Sequence, residues 1–278
     1  METIAERILR CADRFNMEIH ENIERRGHVV GFREDITNSA CRGEDTFFGW
    51  FANTKDKDSS FVRGSWDFMV HIAQPLAPYL SSPEDKVALE IGHGGGRILA
   101  GASRCFRRVI GVDVHDQNAK VEEALRERGV HNLQLFRTDG ADLPIPSEEI
   151  DCVYSFIVLQ HVERYTVFRR YIEETYRVLK PGGVAVLYFG RKYRWSFNRS
   201  WRILYDLDRW MERWLLPDGY EEIPAGVNCT NLRVSLSHAI ELARANGFTI
   251  LRRMVSRRAV PDGMGLYGGQ NGLVLKKA

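Results

Sequence analysis

Residues 87–97 read Val87-Ala88-Leu89-Glu90-Ile91-Gly92-His93-Gly94-Gly95-Gly96-Arg97, an apolar run that closes on an acid and breaks into alternating glycines. A short buried strand followed by such a turn puts bare backbone at the carboxyl edge of a sheet, where open α/β folds bind ligands. Glycine lets the turn tighten and lets a ligand approach the main chain. A helix opening near Gly95 or Gly96 would add unpaired N–H groups and a positive dipole end, which favour a carboxylate or phosphate. The dinucleotide fingerprint G-x-G-x-x-G requires glycine at position 97, and Arg97 stands there. That spacing counts against NAD or FAD.

Downstream the chain alternates short apolar runs with polar helical stretches, the pattern of βαβ units on a parallel sheet. The runs are Val87–Ile91, Val109–Val112, Leu133–Phe136, Ile150–Phe156 and Val184–Phe189. Their near-continuous hydrophobicity predicts strands covered on both faces. Helices are predicted over Arg97–Cys105, Asn118–Arg128 and Glu163–Leu179, the last ended by a breaker turn at Lys180-Pro181-Gly182-Gly183. A helix over Leu236–Ala245 follows, then strands Phe248–Val255 and Gly272–Lys276 joined by a long hairpin loop containing Pro261–Gly269.

Two strand ends carry acids. Asp113, after the second strand, sits where a βαβ unit places a carboxylate to accept from both hydroxyls of a ribose. Asp139-Gly140, after the third, suits an adenine: a carboxylate oxygen accepts from the exocyclic amine while a backbone N–H donates to a ring nitrogen.

Taken together, Glu90-x-Gly92-x-Gly94-x-Gly96, Asp113, the Asp139–Pro144 segment, Ile150-Asp151-Cys152-Val153 with Gln160-His161-Val162, and Leu179-Lys180-Pro181-Gly182-Gly183 resemble class I S-adenosylmethionine-dependent methyltransferases. They look most like the small-molecule branch that includes ubiquinone and menaquinone methylases, over roughly residues 85–190. The resemblance implies a doubly wound, seven-stranded α/β sheet with its last strand antiparallel. It implies S-adenosyl-L-methionine as cofactor, with the methionine part at the Gly92–Gly96 turn, the ribose at Asp113 and the adenine at Asp139 and Gly140. Cofactor contacts are thus expected from Glu90, Gly92, His93, Gly94, Gly96, Asp113, Val114, Asp139, Gly140 and Phe156. His93 departs from the small or acidic residue usual inside that turn.

The implied reaction moves a methyl group to an O or N atom of a small-molecule acceptor, which must be desolvated, aligned and, if a hydroxyl, deprotonated. His161 is the best-placed titratable group for a general base, with capping or packing as its structural alternative. Phe156, Tyr154, Phe47, Phe48 and Trp50 are candidates to line a pocket and favour a sulfonium by cation–π contact. The remaining histidines show no metal-ligand spacing, and no metal is expected. Left open are a domain that binds the cofactor without transfer, a methylase of RNA or protein, and a lipid-quinone acceptor.

The flanks are less regular. Ile4, Ile8, Cys11, Phe15, Ile19 and Ile23 recur at helical spacing and predict a helix over 3–26, a packing stripe or a homodimer seam. Residues 27–62 show no sustained period and suggest a long loop or irregular cover. Ser65 to Ala73 predicts a helix disturbed at Pro75 and Pro78. These define an N-terminal helical cover or lid, 1–84, ahead of the cofactor domain, 85–278.

Residues 191–230 interrupt the alternation and are expected to form part of the substrate site. There, Trp201, Leu204, Leu207, Met211 and Leu215 make one apolar helical face. Arg191, Lys192, Arg194, Arg199 and Arg202 suggest a clamp for an anionic or aromatic acceptor, or contact with a lipid surface.

With 278 residues, 44% hydrophobic and a formal charge of +2, the chain sustains one large core and carries no basic excess that calls for nucleic acid. Five scattered cysteines without a C-x-x-C pair suggest reduced thiols, and the absence of a signal or membrane-length run suggests a cytoplasmic protein.

Overall fold

The computed structural model describes residues 29–140, 142–193, 202–223, 226–256 and 270–278. The helix expected over 3–26, its dimer seam, Trp201 and the Pro261–Gly269 loop lie outside these residues.

Seven strands form one sheet: β1 (Val87–Ile91), β2 (Arg108–Asp113), β3 (Leu133–Arg137), β4 (Ile150–Ser155), β5 (Leu179–Gly190), β8 (Phe248–Val255) and β9 (Gln270–Lys277). Their order is β3-β2-β1-β4-β5-β9-β8. The pairings β3–β2, β2–β1, β1–β4 and β4–β5 are parallel, and the last strand, β9, runs antiparallel between β5 and β8. The strand order reverses between β1 and β4, so their carboxyl ends open the crevice in which such sheets hold ligands.

Alternation along each strand divides the core in two. Val87, Leu89 and Ile91 face α7 (Tyr165–Val178) and α9 (Leu236–Ala245). Ala88, Cys152, Tyr154, Val186 and Tyr188 face the N-terminal helices, with α5 (Leu99–Ala102) and α6 (Asn118–Glu127). Glu90 belongs by parity to this second set. Only the outer strand β3 departs from the expected double cover, with no fully buried residue.

The Lys180–Gly183 segment is part of β5 rather than a separate turn. Between the pairs Ile150↔Leu179 and Cys152↔Val184, β4 advances two residues and β5 five. Pro181 has no N–H to give, and Gly182 takes φ +77°, so the extra residues bulge outward while the ladder resumes.

The irregular cover expected over 27–62 is helical instead. Helix α1 spans 29–41, α2 Glu44–Ala52 and α3 Lys57–Asp67. Helix α3 is capped by Asp56, whose carboxylate accepts from Ser59 N–H at 2.7 Å. It runs on through a π turn, Phe68–Ala73, into α4 (Gln74–Leu76) and stops short of Pro78. Periodicity fails in α2 because adjacent Phe47 and Phe48 are both fully buried, leaving no polar stripe to define a face.

The insertion contributes α8 (Arg202–Leu215) and a small hairpin of β6 (Tyr220–Glu222) and β7 (Leu232–Val234). No helix among the described residues is long and apolar enough to cross a membrane.

Candidate functional site

A cleft opens over the carboxyl ends of β1, β2 and β4. Glu90, Gly92, His93, Gly94, Asp113, Val114, Gly140, Phe156 and His161 all line it. Gly96 and Asp139 do not. Gly92 has φ +77°, and a Cβ there would lie 2.3 Å from Val158 Cγ2. Gly96 has φ +75°, and its Cβ would lie 2.8 Å from Val121 Cγ1 and 2.9 Å from Leu125 Cδ1. Gly96 therefore seats the turn on α6 rather than facing a ligand. The helix expected to open near Gly95 or Gly96 and run to Cys105 is shorter: turns occupy 94–98, and α5 is four residues long. Such a short helix adds little macrodipole, so the turn offers local N–H groups only.

Asp113 closes the turn. Its Oδ2 accepts from Gly94 N–H and its Oδ1 from Val114 N–H, each at 2.7 Å. Burial disfavours its charge, but the two N–H groups donate to the ionised form and its pKa lies below the usual carboxylate value. An ionised carboxylate with further lone pairs is thereby presented to the cleft.

The two histidines beside it are both buried. Gln117 N–H donates to His115 Nδ1 at 3.1 Å, which places the His115 proton on Nε2 to donate to the Gly94 carbonyl at 3.0 Å. His93 Nδ1 lies 2.9 Å from the same oxygen, and burial lowers the His93 pKa to about 4. His93, Asp113 and His115 bring possible ligand atoms within 4.8 Å of one another, a grouping that sequence spacing missed. Both rings spend a proton on Gly94 O and the carboxylate is engaged by N–H donors, so the geometry is that of a hydrogen-bonded brace under the turn.

Glu90 enters from the other side. It is 2% exposed, accepts from the Tyr154 hydroxyl at 3.2 Å, and burial pushes its pKa well above the ordinary value. Arg97 lines the same cleft and pairs with buried Asp67 of α3. Asp67 also neighbours Arg63 Nε at 3.7 Å and His71 Nε2 at 3.8 Å. Burial lowers the His71 pKa to about 4, and its ring stacks on Phe156 at 4.2 Å. Sequence reasoning used Arg97 only to exclude a dinucleotide; its partner lies thirty residues upstream, with no local signal.

Asp139 turns outward. Its carboxylate is 86% exposed and pairs with Arg33 of α1, whose guanidinium also donates to Val114 O and Thr138 O. Gly140 keeps the expected place in the cleft, its carbonyl accepting from the Tyr171 hydroxyl at 2.6 Å. Of the expected pocket aromatics, Phe156 and Trp50 line the cleft, whereas Tyr154, Phe47 and Phe48 are packed in the core.

His161 stands at the far end. Its Nδ1 lies 2.6 Å from Cys229 O, so the proton resides there, and the Gln160 amide nitrogen lies 3.3 Å from Nε2. Phe32 of α1 meets the ring edgewise. Ile157, next in the lining, holds φ +61°, an uncommon conformation for a β-branched residue. Within the insertion, Asn228 reaches the cleft. Of the expected basic clamp, Lys192 pairs with Glu221 and Arg191 is buried, and neither lines the cleft; Arg194 and Arg199 lie outside the described residues, as does the Arg202 side chain.

Residues 89–187 match the family model described as a methyltransferase domain. A demethylmenaquinone methyltransferase of Geobacillus stearothermophilus is 34% identical over 80 residues, 28% of this chain and 33% of that enzyme. A tRNA (carboxymethyluridine(34)-5-O)-methyltransferase of Arabidopsis thaliana is 31% identical over 113 residues, 40% of this chain and 26% of that one. The chain thus spans about a third or less of the length of these relatives. Among solved structures, a SAM-dependent methyltransferase of Methanosarcina mazei superposes with a TM-score of 0.51 at 20% identity, covering 73% of this chain and 96% of its own. Strand order, glycine turn and family match agree: residues 89–187 match a methyltransferase domain, and the sheet built around them has the fold of S-adenosylmethionine-dependent methyltransferases of known structure.

Proposed function

We propose that the protein binds S-adenosyl-L-methionine in this cleft and transfers its methyl group to an O or N atom of a small, largely apolar acceptor. The carrying observation is the convergence of an ionised Asp113, a buried Glu90 and Arg97 on one glycine turn. These charges match the cofactor: Asp113 faces ribose hydroxyls, Glu90 an α-ammonium and Arg97 an α-carboxylate, while the Gly92 and Gly94 backbone admits the methionine chain. A Cβ at Gly92 would collide with Val158, which lines the same cleft. The adenine end falls to Gly140 and Val114, with Arg33 closing over them rather than Asp139 reaching in.

The cofactor supplies an electrophilic methyl on sulfur; the protein supplies position and a dry path. Phe32, Ile36, Trp50, Ile157 and Val158 give the acceptor side an apolar wall. His161 is oriented by Cys229 O, and its Nε2, which faces the Gln160 amide at 3.3 Å, takes a proton from a substrate hydroxyl or ammonium that displaces that amide. The apolar wall and the activity named for the Geobacillus relative both support a ring-bearing, quinone-like acceptor, although that similarity covers only 28% of this chain. Isothermal titration with S-adenosylmethionine, followed by labelled-methyl transfer to a panel of phenols, quinols and amines, tests the proposal. Micromolar binding with transfer to at least one acceptor is expected; absence of binding at high micromolar cofactor overturns it.

A further inference from the structure

Helix α8 is built inside out. Asp208 and Glu212 are 2% and 5% exposed, and Glu212 accepts from Leu236 N–H at 3.0 Å and from the Asn271 side-chain amide at 3.1 Å. Leu204, Met211 and Leu215 of the expected apolar face are only half-buried, and Leu207 is exposed. A second stripe points to solvent: Ile203, Leu207, Trp210 and Trp214 are 80%, 38%, 57% and 68% exposed. Their spacing of four, three and four residues aligns them along one side of the helix. The anchoring contact at Asn271, paired with Phe189 near the end of β5, puts α8 at the same sheet edge as the cleft.

The charges follow the same inversion. Of the acids on α8, Asp208 and Glu212 point inward and Asp206 outward, while Arg209 and Arg213 are both exposed. The Arg213 guanidinium lies over both tryptophan rings, 5.5 Å from Trp210 and 5.4 Å from Trp214. An exposed apolar stripe with paired tryptophans and an arginine border complements an anionic lipid interface, where indole rings sit at headgroup depth and guanidinium groups meet phosphates. A second copy fits less well. Four stripe positions on a fourteen-residue helix fall short of the three to four heptads a stable coiled-coil seam needs, and a symmetric pair brings arginine borders together.

We propose that α8 is an interfacial helix that docks the protein on an anionic bilayer surface through Ile203, Leu207, Trp210 and Trp214, bordered by Arg209 and Arg213. This goes beyond methyl transfer and is tested without it. The full chain is floated with vesicles of phosphatidylcholine containing about one-quarter phosphatidylglycerol, and with phosphatidylcholine alone, at low and high salt. Binding to the anionic vesicles is expected, weakened by salt and accompanied by a blue shift of tryptophan emission.

The double variant Trp210→Gln/Trp214→Gln is expected to lower the partition coefficient at least about tenfold with an unchanged circular-dichroism melt, because both rings are exposed. Trp66→Gln, which removes an exposed tryptophan from α3, is expected to leave binding as it was. Three results overturn the proposal: no wild-type binding to anionic vesicles, equal partition of the α8 double variant, or an equal loss in Trp66→Gln. A monomer–dimer equilibrium abolished by the double variant, without vesicle binding, also overturns it and assigns the stripe to a second copy.

Discussion

Glu90 carries a cost in folding that the proposed cofactor site would account for. Strand parity turns it from the aliphatic face of β1 into the layer of Tyr154 and Arg97, where burial raises its pKa. A carboxyl raised in this way favours the fold below its ordinary pKa and loses that contribution as pH rises through the folded value. Glu90→Gln keeps the acceptor for the Tyr154 hydroxyl without the charge. Its melting temperature is expected to exceed wild type by a few degrees near pH 8, the gap closing toward pH 4.5. Cofactor affinity, read by titration, is expected to fall about tenfold. His161→Ala is expected to reduce kcat about 10² to 10⁴-fold with little change in cofactor Kd, measured by labelled-methyl transfer and titration. An unchanged rate leaves positioning alone as the protein's contribution. Asp113 was legible in sequence because a strand-end acid has a fixed place in a βαβ unit. The brace of His93 and His115 was not, because it depends on how the turn folds back onto the end of β2.

At the scale of elements, the short apolar runs located all five parallel strands; four are covered on both faces as such runs imply, and β3, at the sheet's edge, is not. Periodicity failed for α1 to α3, where aromatic residues bury on several sides of short helices and the stop signals resemble loop composition. For α8 it gave the helix but not its orientation, because a second stripe is as regular as the expected one: pattern alone cannot say which side a helix turns to the body. The glycine turn was legible as a turn, but its third glycine serves packing. Gly96→Ala brings a Cβ against Val121 and Leu125 from a left-handed backbone. A loss of roughly 2–4 kcal/mol is expected, seen as a lower urea midpoint at unchanged m-value. Cofactor affinity of the folded fraction is expected to stay near wild type.

Across the whole molecule, the N-terminal helices are tied to the sheet by buried charge and imidazole as much as by aliphatic contact. His71 and His93 both have pKa values near 4 against an ordinary 6.5. Their contribution is complete above pH 6.5 and is lost as pH falls toward 4, because the unfolded chain takes up protons that the folded chain refuses. Each is worth on the order of 3 kcal/mol across that window. The melting temperature is expected to drop steeply between pH 6.5 and 4.5, and less steeply in His71→Gln, measured by calorimetry. The contact of the Tyr188 hydroxyl with His71 O, 117 residues apart in sequence, bears on the order of assembly. A ribosome delivers these helices before the sheet they cover, and Phe47, Phe48, Phe61 and Phe68 wait for strands not yet made. Until β1, β2 and β4 emerge, those rings lack Ala88, Val109 and Tyr154, the sheet residues that share their core, which makes the nascent helices natural clients for chaperones.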